Sequence, residues 1–270
     1  MNFLTGYSAA VFERLILKLE VLAHAAKRSS VHQVRVDMKR IHALLYLVNH
    51  VQADKKLTEP ALLRKIFDAA GELREVQVEK KFLGKWKMGG KSRRKVLKTK
   101  WSELERNNKL KLHRAVNQPG QKTLEIFHDK LDKRLSQMDS NKTIEFITQK
   151  YVELQSTYKQ EGRKRKKLHK LRRILKNLLY VLEALDHPQK KPSWNKKGMD
   201  DLRKVLDMLG NWHDLEVAVV RLVDFQKNAD PEFLTVYNEL IEKSKRIRRK
   251  YFKKAQKAAD QLLSQDLILT

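Results

Sequence analysis

The chain has 270 residues, enough to bury a substantial core as one large domain or two of modest size. It contains no cysteine, which excludes disulfides, thiolate metal sites and cysteine nucleophiles, and no uninterrupted apolar stretch could span a bilayer. The 59 lysines and arginines against 32 aspartates and glutamates give a formal charge of +27 and a pI near 10.1. This balance favours a polyanionic partner. We expect a soluble, cytoplasmic protein with no membrane insertion.

Long helices joined by short connections are predicted, because only 9 glycines and 5 prolines occur while lysine, leucine, arginine, glutamate and alanine dominate. Apolar periodicity and breakers predict nine helices, at about 8–27, 30–51, 58–81, 92–114, 122–138, 142–160, 163–185, 194–227 and 232–263. Thr58 and Pro60 suit the start of the third helix. Pro119 and Gly120 interrupt the pattern after the fourth.

The second predicted helix carries a row of basic residues that recurs, at identical spacing, in the seventh. The matched pairs are Arg28 and Arg165, His32 and His169, Arg35 and Arg172, and Lys39 and Lys176. On a helix, this spacing places the side chains of each row within a sector of about 60°. An apolar row lies about 100° around each helix from the basic row. Each basic row is therefore expected at the edge of a core-facing stripe.

A second segment also recurs, one helix after each basic row. Residues 70–78 correspond to 209–217, so that Gly71 matches Gly210. Glycine inside a helix costs about 1 kcal/mol relative to alanine, and its recurrence predicts a close helix crossing. His169 follows His32 by 137 residues and Gly210 follows Gly71 by 139. We interpret this as an internal duplication giving two antiparallel four-helix bundles, residues 1–115 and 142–270, joined by residues 116–141 with an extra helix.

These two motifs, repeated in the same order, resemble the CHAD domain, the conserved histidine α-helical domain, over nearly the whole chain. The resemblance implies one CHAD domain of two pseudo-symmetric bundles whose basic helices face a central groove and bind inorganic polyphosphate. The binding residues expected from it are Arg28, His32, Arg35, Lys39, Arg40, Arg165, His169, Arg172, Arg173 and Lys176. The second copy departs from the family pattern beyond Lys176, where Asn177 and Leu179 replace Arg40 and His42.

Further basic clusters lie outside the two rows. Residues 80–100 include ten lysines and arginines and no acid, and nine of the fifteen residues 243–257 are basic. Such runs are more often general electrostatic surface than a defined site. Candidates for an extension of the groove are Arg94, Lys98, Lys245, Arg248 and Arg249.

Three other interpretations compete with polyphosphate binding. A basic row beside an apolar stripe is commonly a solvated helix face, although its duplication in register argues against that. Binding to the phosphate backbone of RNA suits the net charge, but no nucleic-acid reading motif is present. His213 and Asp214 resemble the pair of a metal-dependent phosphohydrolase, yet the other ligands of such a site are missing from the sequence. We expect no catalytic residue, metal site or cofactor, and an association with polyphosphate granules.

Overall fold

The computed structural model describes residues 3–52, 56–84, 91–118, 120–161, 165–185 and 196–264, and within these ranges every regular element is a helix. The helices are α1 (Phe3–His24), α2 (Arg28–Val51), α3 (Ala61–Gly84), α4 (Lys91–Val116), α5 (Gln121–Ser136), α6 (Ser140–Glu161), α7 (Arg165–Leu185), α8 (Lys196–Lys227) and α9 (Leu234–Leu263). A 3-10 turn, Pro231–Phe233, precedes α9. The predicted all-α class is confirmed.

The predicted helix starts are close to those observed. α3 begins directly after Pro60, and the Arg64 amide donates a hydrogen bond to the Pro60 carbonyl at 3.2 Å. α1 begins at Phe3, five residues earlier than predicted. Leu4 and Val11, seven residues apart, are both buried, so the apolar row of α1 starts one or two turns earlier than expected.

Helix α2 packs against α3 and α7, and helix α8 packs against the same two helices. α2 also contacts α1, α5 and α6, and α9 packs along α8. Glu79 of α3 accepts hydrogen bonds from Trp101 Nε1 at 2.9 Å and from Arg221 Nε at 2.8 Å, which links α3 to α4 and α8. No helix in the described ranges is long and apolar enough to cross a membrane.

The hydrophobic core is continuous between the two halves of the chain. Val34 and Ile41 of α2 and Leu168 and Leu175 of α7 are all fully buried in it. A smaller cluster surrounds Trp101 where α3, α4, α8 and α9 meet. Because the apolar rows of α2 and α7 are buried, the basic rows that flank them lie at the border of the packed region.

Candidate functional site

The strongest sequence candidates come together where α2 packs against α7. Burial and the neighbouring ammonium of Lys176, followed by Arg35 and Arg172, lower the pKa of Lys39 to about 6. Burial, Arg172 and Arg35 together lower the pKa of Lys176 to about 8, although Asp214 opposes the shift. Like charges depress a lysine pKa only when they are close in a poorly hydrated environment. The structure therefore places four cations from two distant segments in one half-buried group.

These cations have few internal partners. Within the described ranges, no carboxylate lies within ion-pair distance of Lys39, Arg172 or Lys176, and the buried Nε of Arg172 has no hydrogen-bond partner. Some surface cations elsewhere do have a carboxylate partner, as Lys80 has Glu105. Bringing unpaired like charges together out of water opposes folding. An anion placed among these cations would relieve that repulsion.

Arg35 is held in place by α3. Its Nη1 donates a hydrogen bond to the Phe67 carbonyl at 2.8 Å, and its guanidinium lies 4.5 Å from the centre of the Phe67 ring. A Cβ at Gly71 would lie only 2.5 Å from Arg35 Nη1. A close helix crossing is predicted at Gly71, and the structure instead places the end of the Arg35 side chain against it. The crossing predicted at Gly210 is wrong, because no described atom lies within 4 Å of where its Cβ would be.

α3 and α8 add charged groups that are not among the expected polyphosphate-binding residues. Burial lowers the pKa of Arg74, and the nearby Arg28 adds to this effect. Burial raises the pKa of Asp214, whereas Arg172, Lys176 and Arg74 act to lower it, so this carboxyl faces the cations from α8. We call Arg35, Lys39, Arg74, Arg172 and Lys176 the basic cluster. Arg74 could have been found from the repeated segment, where it stands three residues after Gly71.

The first turns of the two basic rows differ in their surroundings. Arg28 and His32 of α2 both reach solvent, but partial burial of the His32 ring, together with Arg74 and Lys39, lowers the pKa of His32. At the start of α7, Arg165 forms an ion pair with Glu216, and His169 Nε2 lies 2.7 Å from Glu216 Oε2. The first turns of the two rows therefore differ, because Glu216 adds a negative charge beside Arg165 and His169.

Arg40 and Arg173 do not join the basic cluster. Arg40 Nη1 lies 3.0 Å from Asp37 Oδ1, and its Nη2 lies 3.4 Å from Glu183 Oε2. Arg173 is exposed. Its positive charge acts to lower the pKa of Tyr46, which burial raises, and Tyr46 belongs to α2, the helix that contacts α6. The reason is helical geometry: Arg40 is five residues from Arg35, or about 140° around α2, and Arg173 is about 100° from Arg172.

The proposed extensions of the groove have different outcomes. Arg94 lies on α4, but its side chain is outside the described residues. Lys98 is exposed on α4, in a cleft that it shares with Arg106. Lys245 pairs with Glu242 at 2.7 Å. Burial and the charge of Arg165, then of Arg249, lower the pKa of Arg248. Of these candidates, Arg248 lies beside Arg165, which is one of the expected binding residues.

His213 and Asp214, the possible metal-binding pair on α8, lie beside the basic cluster. Burial and Arg172 lower the pKa of His213 to about 4, and its ring centre is 5.1 Å from that of His169. In the part of the chain that the structure describes, no three or more histidine, aspartate and glutamate side chains gather as metal ligands.

The fold and the two rows agree with one family. The family model for the CHAD domain matches residues 9–223. The chain belongs to the CHAD family. A solved structure described as the CHAD domain from the plant Ricinus communis matches with a TM-score of 0.78 and 14% sequence identity, covering 98% of this chain and 92% of that chain. No curated protein matches the chain. The CHAD match runs from α1 to α8 and includes both basic rows, whereas α9 lies beyond it.

Proposed function

We propose that this CHAD domain binds inorganic polyphosphate through the basic cluster and does not hydrolyse it. The observation that carries the proposal is that Lys39 and Lys176 face one another, half-buried and without a carboxylate partner within the described residues. Linear polyphosphate bears a negative charge on each unit, so it can neutralise several of these cations at once and release their counterions. Arginine adds paired donors for phosphate oxygens, and lysine adds a compact charge.

In this proposal the duplicated halves, residues 1–115 and 142–270, form two walls of a groove, with α2 on one side and α7 on the other. Contact between these two helices supports the arrangement. The thin, flexible chain of polyphosphate suits a site enclosed by four helices better than a duplex does. A cytoplasmic location at polyphosphate granules belongs to the same proposal.

The test is a binding competition between long-chain polyphosphate, pyrophosphate, single-stranded RNA and duplex DNA at physiological salt. We expect long-chain polyphosphate to bind most tightly. Tighter binding of RNA would replace the proposal with recognition of a nucleic-acid backbone. Phosphate release from polyphosphate or nucleoside triphosphates with added divalent metal, abolished by His213→Ala, would overturn the non-catalytic assignment.

A charge-matched pair of variants locates the site. The first variant removes the side chains of Arg35, Lys39, Arg172 and Lys176 by alanine substitution. The control does the same to four exposed lysines of α5 and α6, namely Lys122, Lys130, Lys133 and Lys142. We expect the first variant to lose at least about tenfold in affinity and about three units of salt slope, because each lost phosphate contact removes roughly 0.7 of a unit. Equal losses in both variants would show that binding follows net charge and would place no site at the cluster.

A further inference from the structure

One carboxylate neutralises the start of the α7 basic row from within the protein. Glu216 of α8 forms an ion pair with Arg165, and its Oε2 lies 2.7 Å from His169 Nε2. The Glu216 side chain is 11% exposed, whereas Arg165 is 53% exposed. His169 is also fixed by the ring of Trp212, whose centre is 4.5 Å away. The carboxylate therefore sits inside the site, below cations that reach to the surface.

The internal repeat supplies a comparison for this contact. Gln77 follows Gly71 by six residues, just as Glu216 follows Gly210. Gln77 has no acidic charge, and its buried Oε1 has no hydrogen-bond partner in the described part of the chain. Gln77 and Arg28 line the same open cleft with Lys80, Lys81 and Lys109, so a carboxylate at position 77 would add negative charge to the cleft that Arg28 borders. The first turn of α2 thus keeps its positive charge, while the equivalent turn of α7 is neutralised.

We propose that Glu216 is an internal competitor for polyphosphate, which masks Arg165 and His169 until a phosphate displaces it. This inference rests on the proposed function. A carboxylate and a phosphate accept hydrogen bonds from the same guanidinium and imidazole donors, so both cannot occupy them together. Arg248 lies beside Arg165 and adds a further cation to the region that the displacing phosphate would enter. Glu216 also limits repulsion there while the site is empty.

Glu216 thereby makes the two ends of the site unequal. In this proposal it also changes how the binding affinity depends on the length of the polyphosphate chain. A short anion fits the unpaired basic cluster and the Arg28 turn without meeting Glu216. A long chain that also covers the α7 turn must displace the carboxylate, and part of its binding free energy is lost. Glu216 acts here as a specificity-determining residue that reduces the advantage of long chains.

The test measures the affinities of Glu216→Gln for long-chain polyphosphate and for tripolyphosphate. The control is Glu153→Gln, which makes the same chemical change in an exposed ion pair with Lys150 on α6. We expect Glu216→Gln to bind the long chain roughly two- to fivefold more tightly than the control, from the usual strength of such pairs, with tripolyphosphate unchanged between them. An affinity at or below that of the control would overturn the inference.

The reciprocal variant Gln77→Glu provides an independent measurement if Glu216→Gln folds poorly, which thermal melts would reveal. It should weaken long-chain binding by a similar factor, because the new carboxylate reduces the positive charge of the cleft that Arg28 lines. Unchanged affinity in this variant counts against competition by a carboxylate at the repeated position. If the wild-type protein binds no polyphosphate, the proposed function fails. If it binds and neither variant shifts long-chain affinity as stated, only the role of Glu216 fails.

Discussion

Binding of polyphosphate to the basic cluster should take up protons, and its affinity should fall as the pH rises. Lys39 faces Lys176, Arg35, Arg172 and Asp214, and its pKa of about 6 in the free protein means that it is mostly neutral at pH 7. Phosphates placed beside it favour the charged ammonium and restore a high pKa. His32 and His213 also face this lysine, and their own pKa values are lowered. The bound state therefore holds more protons than the free state.

The size of the effect follows from the two lysine pKa values. With Lys39 at about 6 and Lys176 at about 8 in the free protein, full protonation in the complex requires the uptake of about one proton at pH 7. Between pH 6 and pH 8, Lys39 alone weakens binding by roughly 50-fold and Lys176 by about twofold, or about 100-fold together. Long polyphosphate has few titrating end groups, so the protein dominates the change.

Titration calorimetry at pH 6, 7 and 8, in buffers of different ionisation enthalpy, measures both the affinity and the protons taken up. Lys39→Arg is the informative variant, because arginine stays charged at all these pH values. It should remove the roughly 50-fold effect of Lys39 and keep the roughly twofold effect of Lys176. Lys176→Arg is the matched control and should leave roughly the 50-fold effect of Lys39. An affinity independent of pH in the wild-type protein, with no proton uptake, would refute the reasoning.

Three further predictions concern stability and are checked by thermal or denaturant unfolding. Lys39→Met should stabilise the free protein by up to about 5 kcal/mol at pH 6 or below, because the charged form of this half-buried lysine, whose folded pKa is about 6, is least favourable there. The gain should shrink toward pH 10, and a gain that stays constant contradicts this. Gly210→Ala should stabilise the protein by up to about 1 kcal/mol. Gly71→Ala should stabilise it less and should also weaken polyphosphate binding, because its methyl group meets Arg35. Identical behaviour of the two variants would be incompatible with this contact. Asp37→Asn should cost about 3 kcal/mol, because its buried carboxylate has two cations of α1 and α2 within 3.0 Å; a loss below about 0.5 kcal/mol would show that these pairs contribute little.

Much of the fold could be predicted because helix formation is local. The scarcity of glycine and proline and the three-and-four apolar spacing predict nine helices, and each has a counterpart in the structure. The apolar positions of α2 and α7, such as Val34 and Leu171, are buried as their spacing predicts. The recurrence of the basic row at identical spacing is likewise visible in the sequence alone.

The shortlist of Arg35, Lys39, Arg172 and Lys176 could also be predicted, since one helical face carries each pair. Their common location required the packing of α2 on α7, which joins residues more than a hundred positions apart. Arg74 entered the cluster for the same reason, because α3 lies against α2 and α8.

The sequence by itself determined where the helices lie and which cations share a helical face, because both depend on neighbours within a few residues. Only the tertiary structure decided which of those basic side chains are left without an ion-pair partner. Arg40 is paired with Glu183 and Arg165 with Glu216, whereas Lys39 and Lys176 meet each other with no described carboxylate within ion-pair distance. Helix packing makes that difference, because an ion pair requires two side chains from different helices within a few ångströms, and no local spacing specifies such a distance.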